Sequence, residues 1–418
     1  MMTQAFYTGL SGLKANQQAI DVISDNLANV STIGFRGNSS EFSNIFEATI
    51  NTNSASSSID NSIGIGVKQG VSAMDESQGV FQLTDKNTDL AILGDGWFGV
   101  EGFNNTIYTR DGNFTFDANR DLVTQDGYFV LGTMGTNIKD GILTQDVEST
   151  PLSNVDKQKK LSFPKDLYWP AVSTSEAIFS GNLPLDSELS VVSATVINTD
   201  GIKNNLRLSF TKVNPQISPG VQWNVIATTE TRDGETIYDT QSGVINFNEY
   251  GALTSNTLTS IDNQGSVVNI NLGTGHDGII SINASESLSS TSNGFEDGKL
   301  LGYDINKNGE VLATFTNSEQ SSVGSIAIFH FANDRGLERI NGSRFIQSNN
   351  SGKAFFFKDS KGNNITGTDL ANNRLEGSNV KLEVGLTDLI IYQRSYDANS
   401  KSITTADQML QKALNMDA

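Results

Sequence analysis

The sequence predicts an α+β fold that is mostly β, with long, coiled-coil-like N- and C-terminal helices flanking nested β-rich domains. Three observations lead to this prediction. Apolar residues recur every seven positions near both ends of the 418-residue chain. Alternating apolar and polar residues, punctuated by turn dipeptides, fill the middle. Finally, a long β-rich segment separates two stretches that both have the pattern of short strands.

The N-terminal helix is predicted from Gln4 to Val30. Thr3 is a suitable N-cap, and Gly34 supplies a stop signal shortly after the periodic residues end. Large apolar side chains occupy the core positions of its heptads, which is the pattern of a coiled-coil seam. The residues expected to line this seam are Phe6, Leu13, Ile20, Ile23 and Leu27.

The C-terminal helix is predicted from Ser378 to Leu414, a stretch without proline. A helix rises about 1.5 Å per residue, so this one is on the order of 50 Å long and exceeds the width of a compact domain. A shorter run of apolar residues at this spacing would indicate an ordinary buried helix. A helix of this length needs a partner, and we expect that partner to be the N-terminal helix. Its seam residues are Leu382, Leu389, Tyr392, Tyr396, Ile403 and Leu410.

Each seam also contains one asparagine, Asn16 in the first helix and Asn399 in the second. A buried asparagine lowers stability but can fix the register and the choice of partner. A merely solvated side chain is the alternative at both positions.

Residues 32–72 are predicted to form an extended linker and loop. The run from Asn51 to Ser62 is rich in Ser, Asn and Thr, and such a composition cannot bury enough apolar surface to order itself. Strand patterns begin after it, with hairpin turns predicted at Asp111-Gly112 and Asp126-Gly127.

Four regions follow from these patterns. Residues 1–31 and 378–418 are expected to form a helical core domain, and residues 32–72 the linker. Residues 73–162 and 295–377 are expected to form one discontinuous β-rich domain. Residues 163–294 form an inserted outer β-rich domain, because turn signals recur there at the spacing of a β-sandwich or barrel.

The composition argues against several classes of partner. The formal net charge is −19, and no basic cluster offsets it, so neither nucleic acid nor an anionic membrane surface is an expected partner. No apolar run is long enough to span a membrane, and no cleavable signal peptide is expected at the N-terminus. The chain has no cysteine, so disulfides and thiol chemistry are excluded.

No catalytic, cofactor-binding or metal-binding residue is predicted. The only histidines, His276 and His330, lie far apart in the sequence and lack the spacing of metal ligands. The pattern Gly273-x-Gly275-x-x-Gly278 precedes another strand pattern and not a helix, so it indicates a hairpin. The calcium-loop-like run from Asp304 has Phe315 at the position where a Glu ligand is required, so it indicates a turn.

Several short motifs resemble the bacterial flagellar axial proteins, the family that builds the rod and hook. They include Asp25-Asn26-Leu27-Ala28-Asn29, Thr32-Ile33-Gly34-Phe35-Arg36, Tyr108 to Phe114 and Gln393-Arg394-Ser395-Tyr396, and they occur in the family's order. The family-motif residues that we single out are Asn26, Asn29, Gly34, Phe35, Asn379, Gln393 and Arg394.

The resemblance implies a structural protein without enzymatic activity. It would self-assemble into the tubular hook and transmit torque as a flexible joint around a central export channel. The implied partners are copies of itself, other flagellar axial, cap and junction proteins, and the type III export apparatus, with a location in the flagellum outside the cell. The long insertion favours a hook subunit over a rod subunit, by analogy with the family.

Two other functions remain open from the sequence. The chain could be a distal-rod or hook-like minor axial subunit of the flagellum. An unrelated β-rich surface adhesin is the more remote alternative.

Overall fold

The computed structural model describes residues 2–44, 47–49, 62–64, 66–70, 72–102, 105–216 and 219–416. Apart from Ser62 itself, the loop expected from Asn51 to Ser62 lies outside the described residues. The fold is mostly β, with one long α-helix at each end of the chain, so the predicted fold class is confirmed at this level.

The terminal helices are α1, Met2–Ala28, and α2, Leu382–Met416. Thus α2 begins four residues after the predicted start at Ser378, because the backbone before it is extended and contacts the β region. Neither helix, in the part of the chain that the structure describes, combines the length and apolarity needed to cross a membrane.

Short strands follow α1. They are β1 (Asn38–Ser39), β2 (Phe42–Asn44), β3 (Glu47–Thr49), β4 (Ser62–Gly64), β5 (Val67–Gln69), β6 (Ala73–Met74), β7 (Phe81–Leu83), β8 (Leu90–Leu93), β9 (Trp97–Glu101), β10 (Thr106–Thr109), β11 (Phe114–Phe116), β12 (Leu122–Thr124), β13 (Leu131–Met134), β14 (Ile138–Lys139), β15 (Ile142–Leu143), β16 (Lys159–Lys160) and β17 (Tyr168–Trp169).

The middle of the chain has longer strands. They are β18 (Glu176–Asn182), β19 (Leu189–Ile197), β20 (Lys203–Lys212), β21 (Val221–Thr231), β22 (Ile237–Phe247), β23 (Leu253–Asn256), β24 (Ser260–Asn263), β25 (Ser266–Asn271), β26 (Gly273–Thr274), β27 (Asp277–Ile280) and β28 (Ser287–Ser292). Gly273 of β26 pairs with Gly278 of β27, and Gly275 lies in the connection between the two strands, so the Gly-x-Gly-x-x-Gly pattern forms a hairpin.

The remaining strands lead to α2. They are β29 (Gly298–Ile305), β30 (Glu310–Phe315), β31 (Gln320–Ile326), β32 (Ile328–Phe329), β33 (Glu338–Asn341), β34 (Arg344–Ile346), β35 (Phe357–Lys358), β36 (Asn364–Ile365), β37 (Asp369–Asn372) and β38 (Arg374–Glu376).

One cluster of buried apolar side chains combines strands from before and after the middle segment. Phe98 and Phe114 come from the first part, Phe315 and Ile326 from the second, and all four are fully buried. An eight-stranded sheet also mixes the two parts, in the order β14-β15-β17-β29-β30-β31-β13-β16. The two parts therefore share one core.

The middle segment has a separate core between two sheets. One sheet has the order β19-β20-β21-β22-β23, and the other has β24-β25-β18-β27-β26 with β28 on β18. Alternate residues of both sheets, such as Phe210, Trp223 and Phe179, point into one buried cluster. This arrangement is that of two sheets packed face to face, which the alternating sequence pattern anticipates.

The segment that enters the middle part of the chain and the segment that leaves it lie side by side. Val172 and Phe295 exchange two backbone hydrogen bonds of 2.9 and 3.1 Å, and Trp169 pairs with Gly298. Phe163, predicted as the start of the inserted segment, is buried in the first cluster together with Trp169.

Candidate functional site

The two terminal helices pack against each other in antiparallel directions. A Cβ built on Gly9 would lie 2.8 Å from Cγ1 of Ile403, and one built on Gly12 would lie 2.8 Å from the side-chain amide of Asn399. At the other end of the pair, Leu27 lies beside Gly385. A larger residue at Gly9 or Gly12 would force Ile403 or Asn399 to move, whereas the 3.9 Å contact at Gly385 is an ordinary van der Waals distance.

The predicted seam residues differ in how far the single chain covers them. Ile23 is buried, and most of the others are half-buried: Leu13, Ile20, Leu27, Leu389, Tyr392, Ile403 and Leu410. Phe6 and Tyr396 are each 37% exposed, and Leu382 is 49% exposed. The single chain therefore covers the predicted seam residues only in part, and the exposed ones lie at the start of α1, at the start of α2 and near the middle of α2.

Small residues form the most buried face of α1. Ala15 and Ala19 are almost fully buried, as is Asn16, whose Nδ2 donates to the carbonyl oxygen of Gly12 over 2.8 Å. Heptad counting by large apolar residues overlooks this face. The sequence pattern that indicates this face is the recurrence of Gly9, Gly12, Ala15 and Ala19 every three or four residues.

A second set of contacts joins the helices to the β region, and we call it the junction. Asn26 near the end of α1 exchanges hydrogen bonds with the backbone of Asn38, 2.7 and 2.9 Å long. Asn379, just before α2, accepts from the Gly37 N–H at 2.8 Å and donates to the carbonyl oxygens of Asp75 and Ser77. These two asparagines therefore hold the segment that follows α1 and the segment that precedes α2 against the β region.

Gly34 and Phe35 lie at the centre of the junction. Gly34 has φ +65°, and a Cβ there would lie 2.4 Å from the backbone nitrogen of Asp111, so only glycine fits. Phe35 is 1% exposed, and the guanidinium of Arg339 covers its ring at 4.7 Å.

A buried ion triad lies beside them, formed by Arg36, Arg110 and Glu376. The distances are 2.9 Å from Arg36 Nη2 to Oε1 of Glu376 and 3.4 Å from Arg110 Nη1 to Oε2. All three side chains are at most 3% exposed. Gly79 donates its backbone N–H to the same carboxylate at 2.9 Å. The triad thus links the chain after α1, the end of β10 and the chain before α2.

The electrostatics of the triad depend on its single carboxylate. Burial, together with the nearby Arg36, lowers the pKa of Arg110 to about 10, and Glu376 opposes that shift. Arg110 therefore remains charged at neutral pH. A buried charge without a partner is strongly unfavourable, so the three side chains form a unit whose members depend on one another.

The other motif residues do not join this cluster. Asn29 donates to the carbonyl oxygen of Asp25 over 2.9 Å and supports its own helix end. Gln393 and Arg394 are exposed on α2. The sequence motifs include Arg36 and Arg110, but nothing in them indicates that Glu376 contacts both.

The candidate metal-binding and histidine positions have simple structural surroundings. No group of three or more His, Cys, Asp or Glu side chains among them could hold a metal ion. His330 is buried, with Nε2 2.6 Å from the carbonyl oxygen of Thr366, whereas His276 is exposed. The Asn306–Gly309 segment closes a turn between two strands, with a 3.0 Å bond from Gly309 N–H to the carbonyl oxygen of Asn306.

Three family models match the chain, in order. The model described as flagella basal body rod protein matches residues 6–36, the flagellar hook protein FlgE/F/G D1 domain model matches residues 91–156, and the flagellar basal body rod FlgEFG protein C-terminal model matches residues 371–416. The first and third cover most of the helices and much of the junction. These matches show that the chain is similar to flagellar axial proteins of the rod and hook class.

Two relatives are similar to this chain over almost its full length. The chain is 28% identical to the flagellar hook protein FlgE of Salmonella typhimurium, over 99% of this chain and 100% of the relative. The corresponding protein of Brucella suis is 29% identical, over 98% of each chain. Together with the family models, these relatives support a flagellar hook protein.

A solved structure shares the fold. The flagellar hook protein FlgE2 of Helicobacter pylori superposes with a TM-score of 0.56 over 71% of this chain and 100% of that one. The two sequences are 15% identical, so this likeness concerns the fold alone.

Proposed function

We propose that this protein is the structural subunit of the flagellar hook and polymerises through its terminal helices. The observation that carries the proposal is the apolar surface of α2 that the single chain leaves uncovered. It includes Val384, Ile390, Ile391 and Met409, each more than half exposed. The single chain leaves more than half of each side chain exposed, so other copies of the helices would have to cover them.

The polymer would have an inner layer of helices and outer layers of β domains. We propose that α1 and α2 pair as a coiled coil, with residues 1–31 and 378–418 lining a central export channel. Burying an apolar side chain of this size stabilises by about 1.5 to 3 kcal/mol, so the exposed residues supply a substantial drive for assembly.

The division of the β regions is also a proposal. Residues 73–162 and 295–377 would form the inner β domain, residues 32–72 the linker, and the middle segment the outer domain. The paired Val172 and Phe295 support placing the boundary of the outer domain near them, later than Phe163. Two adjacent connecting strands would let the outer domain tilt while the tube bends and transmits torque.

The proposed function also implies where the subunit is located and which proteins it contacts. The subunit would reach the cell exterior through the type III export apparatus and contact other axial, cap and junction proteins of the flagellum. No catalytic role is proposed, since the relatives are structural hook proteins.

Electron microscopy of the polymer assembled from purified protein tests the proposal. A curved, hollow tube is the expected result. A straight, stiff tube would instead support a distal-rod subunit. A protein that stays monomeric under all assembly conditions would contradict both functions.

A further inference from the structure

Three asparagines of this chain are followed by glycine, at Asn293, Asn308 and Asn341. Such pairs are chemically labile, because the glycine nitrogen can attack Cγ of the preceding asparagine. The new C–N bond closes a five-membered imide and ammonia leaves. Water then opens the imide, giving either aspartate or isoaspartate. Glycine favours the attack because it has no Cβ to hinder the approach.

The structure protects two of the three sites. Asn293 accepts hydrogen bonds from the backbone N–H groups of Ser175 and Glu176 at 3.0 and 3.1 Å, and its Nδ2 donates to Ser175 Oγ. The attack on its Cγ would therefore have to break these three hydrogen bonds. At Asn308, the attacking nitrogen of Gly309 is itself committed to the turn bond with Asn306.

The third site is open. Asn341 is exposed at the end of β33, and among the described residues its side chain has no hydrogen-bond partner. Gly342 follows in the hairpin turn with φ +49°, and a Cβ built on it would meet nothing within 4 Å. Its N–H donates to no group that the structure describes. Both reacting groups can therefore approach each other without breaking a contact.

We propose that Asn341 is a site of spontaneous deamidation in the folded protein. The reaction needs only water and releases ammonia, so no enzyme or cofactor is required. It would place a carboxylate opposite Arg344, the residue paired with Asn341 across the hairpin.

The hairpin tip is also tied to the junction. Arg339 donates from Nη1 to the carbonyl oxygen of Gly342 over 2.8 Å, and the same guanidinium covers the rings of Phe35 and Phe345. Isoaspartate adds one methylene to the backbone just before Gly342. The carbonyl that holds Arg339 is thereby displaced, so the modification loosens a contact at the junction.

The test follows the three sites in the full-length chain during incubation at mildly alkaline pH. Peptide mapping by mass spectrometry, with fragmentation that separates aspartate from isoaspartate, gives each rate. Asn341 should convert at least about tenfold faster than the other two sites, a factor that corresponds to about 1.4 kcal/mol in activation free energy. In urea the three rates should converge, because the fold no longer protects any site.

An Asn341→Gln variant provides the matched control, since glutamine closes the corresponding ring far more slowly. It should remove most of the isoaspartate formed by the folded chain. Equal rates at the three sites in the folded chain would overturn the proposal. So would a preference for Asn341 that persists in urea, or isoaspartate formation that Asn341→Gln leaves unchanged.

Discussion

At the scale of single residues, Glu376 is the side chain on which the junction depends most. It is the only carboxylate in contact with two buried guanidinium groups, Arg36 and Arg110, within the described part of the chain. Replacing it by glutamine removes the negative charge while keeping the size. Glu376→Gln should therefore lower the free energy of unfolding by about 3 to 5 kcal/mol, measured by urea denaturation.

An exposed ion pair supplies the control for this change. Glu76 lies 3.5 Å from Arg335, and both side chains are about half exposed, at 47% and 57%. Glu76→Gln should change the free energy of unfolding by less than about 1 kcal/mol. Equal effects of the two substitutions would show that the buried triad does not stabilise the junction.

His330 should make stability depend on pH. Burial lowers its pKa, and Arg110 acts in the same direction, whereas the Thr366 carbonyl, Asp334 and Asp95 act against it. The unfolded chain then binds a proton at a higher pH than the folded chain does. Stability should fall as the pH drops below about 6.5 and level off below the folded-state pKa.

Two variants separate this effect from that of other titrating groups. His330→Gln should flatten the dependence of the urea midpoint on pH between about 7 and 5, where histidine titrates. His276→Gln changes an exposed histidine and should leave the dependence intact. An unchanged slope in His330→Gln would rule out the buried histidine as the cause.

At the scale of elements, the helices were predictable and the junction was not. Seven-residue spacing marks a long helix locally, so α1 and α2 could be located without knowledge of their partners. The triad joins Arg36, Arg110 and Glu376, which are distant in sequence, and no local pattern encodes such a contact. The small-residue face of α1 escaped prediction because the large apolar residues dominate the heptad pattern, whereas Gly9 and Gly12 make the closest approach.

The helix contact is testable with a single charge. Ile403 is half-buried and lies against Gly9. Ile403→Asp, or Leu389→Asp in the same seam, would place a carboxylate between the helices, where it has no partner and is costly to bury. Either variant should abolish assembly, measured by sedimentation, while the near-ultraviolet circular dichroism of the β regions stays unchanged.

Lys401→Asp is the control on the same helix, since Lys401 is exposed. It makes a larger change in charge but should still permit assembly. Assembly by Ile403→Asp at the normal level would contradict the role of the seam, and loss of the β signal would show that the variant is misfolded.

At the scale of the whole molecule, the proposed nested organisation predicts that the middle segment can be removed. Val172 and Phe295 already exchange backbone hydrogen bonds, and Gly294 lies against Thr174. Deleting residues 175–293 and joining Thr174 to Gly294 would leave a three-residue hairpin loop that ends in glycine, a common connection between antiparallel strands. The first buried cluster, which contains Trp169, would lose none of its members.

The shortened chain should therefore fold cooperatively and still assemble through its helices. Its urea unfolding should show a smaller slope than that of the full chain, because less surface is exposed on unfolding. Electron microscopy should show a tube with a smaller outer diameter, since the proposed outer layer is missing. A shortened chain that folds but does not assemble would place essential subunit contacts in the middle segment, and the helices alone would then not account for the polymer.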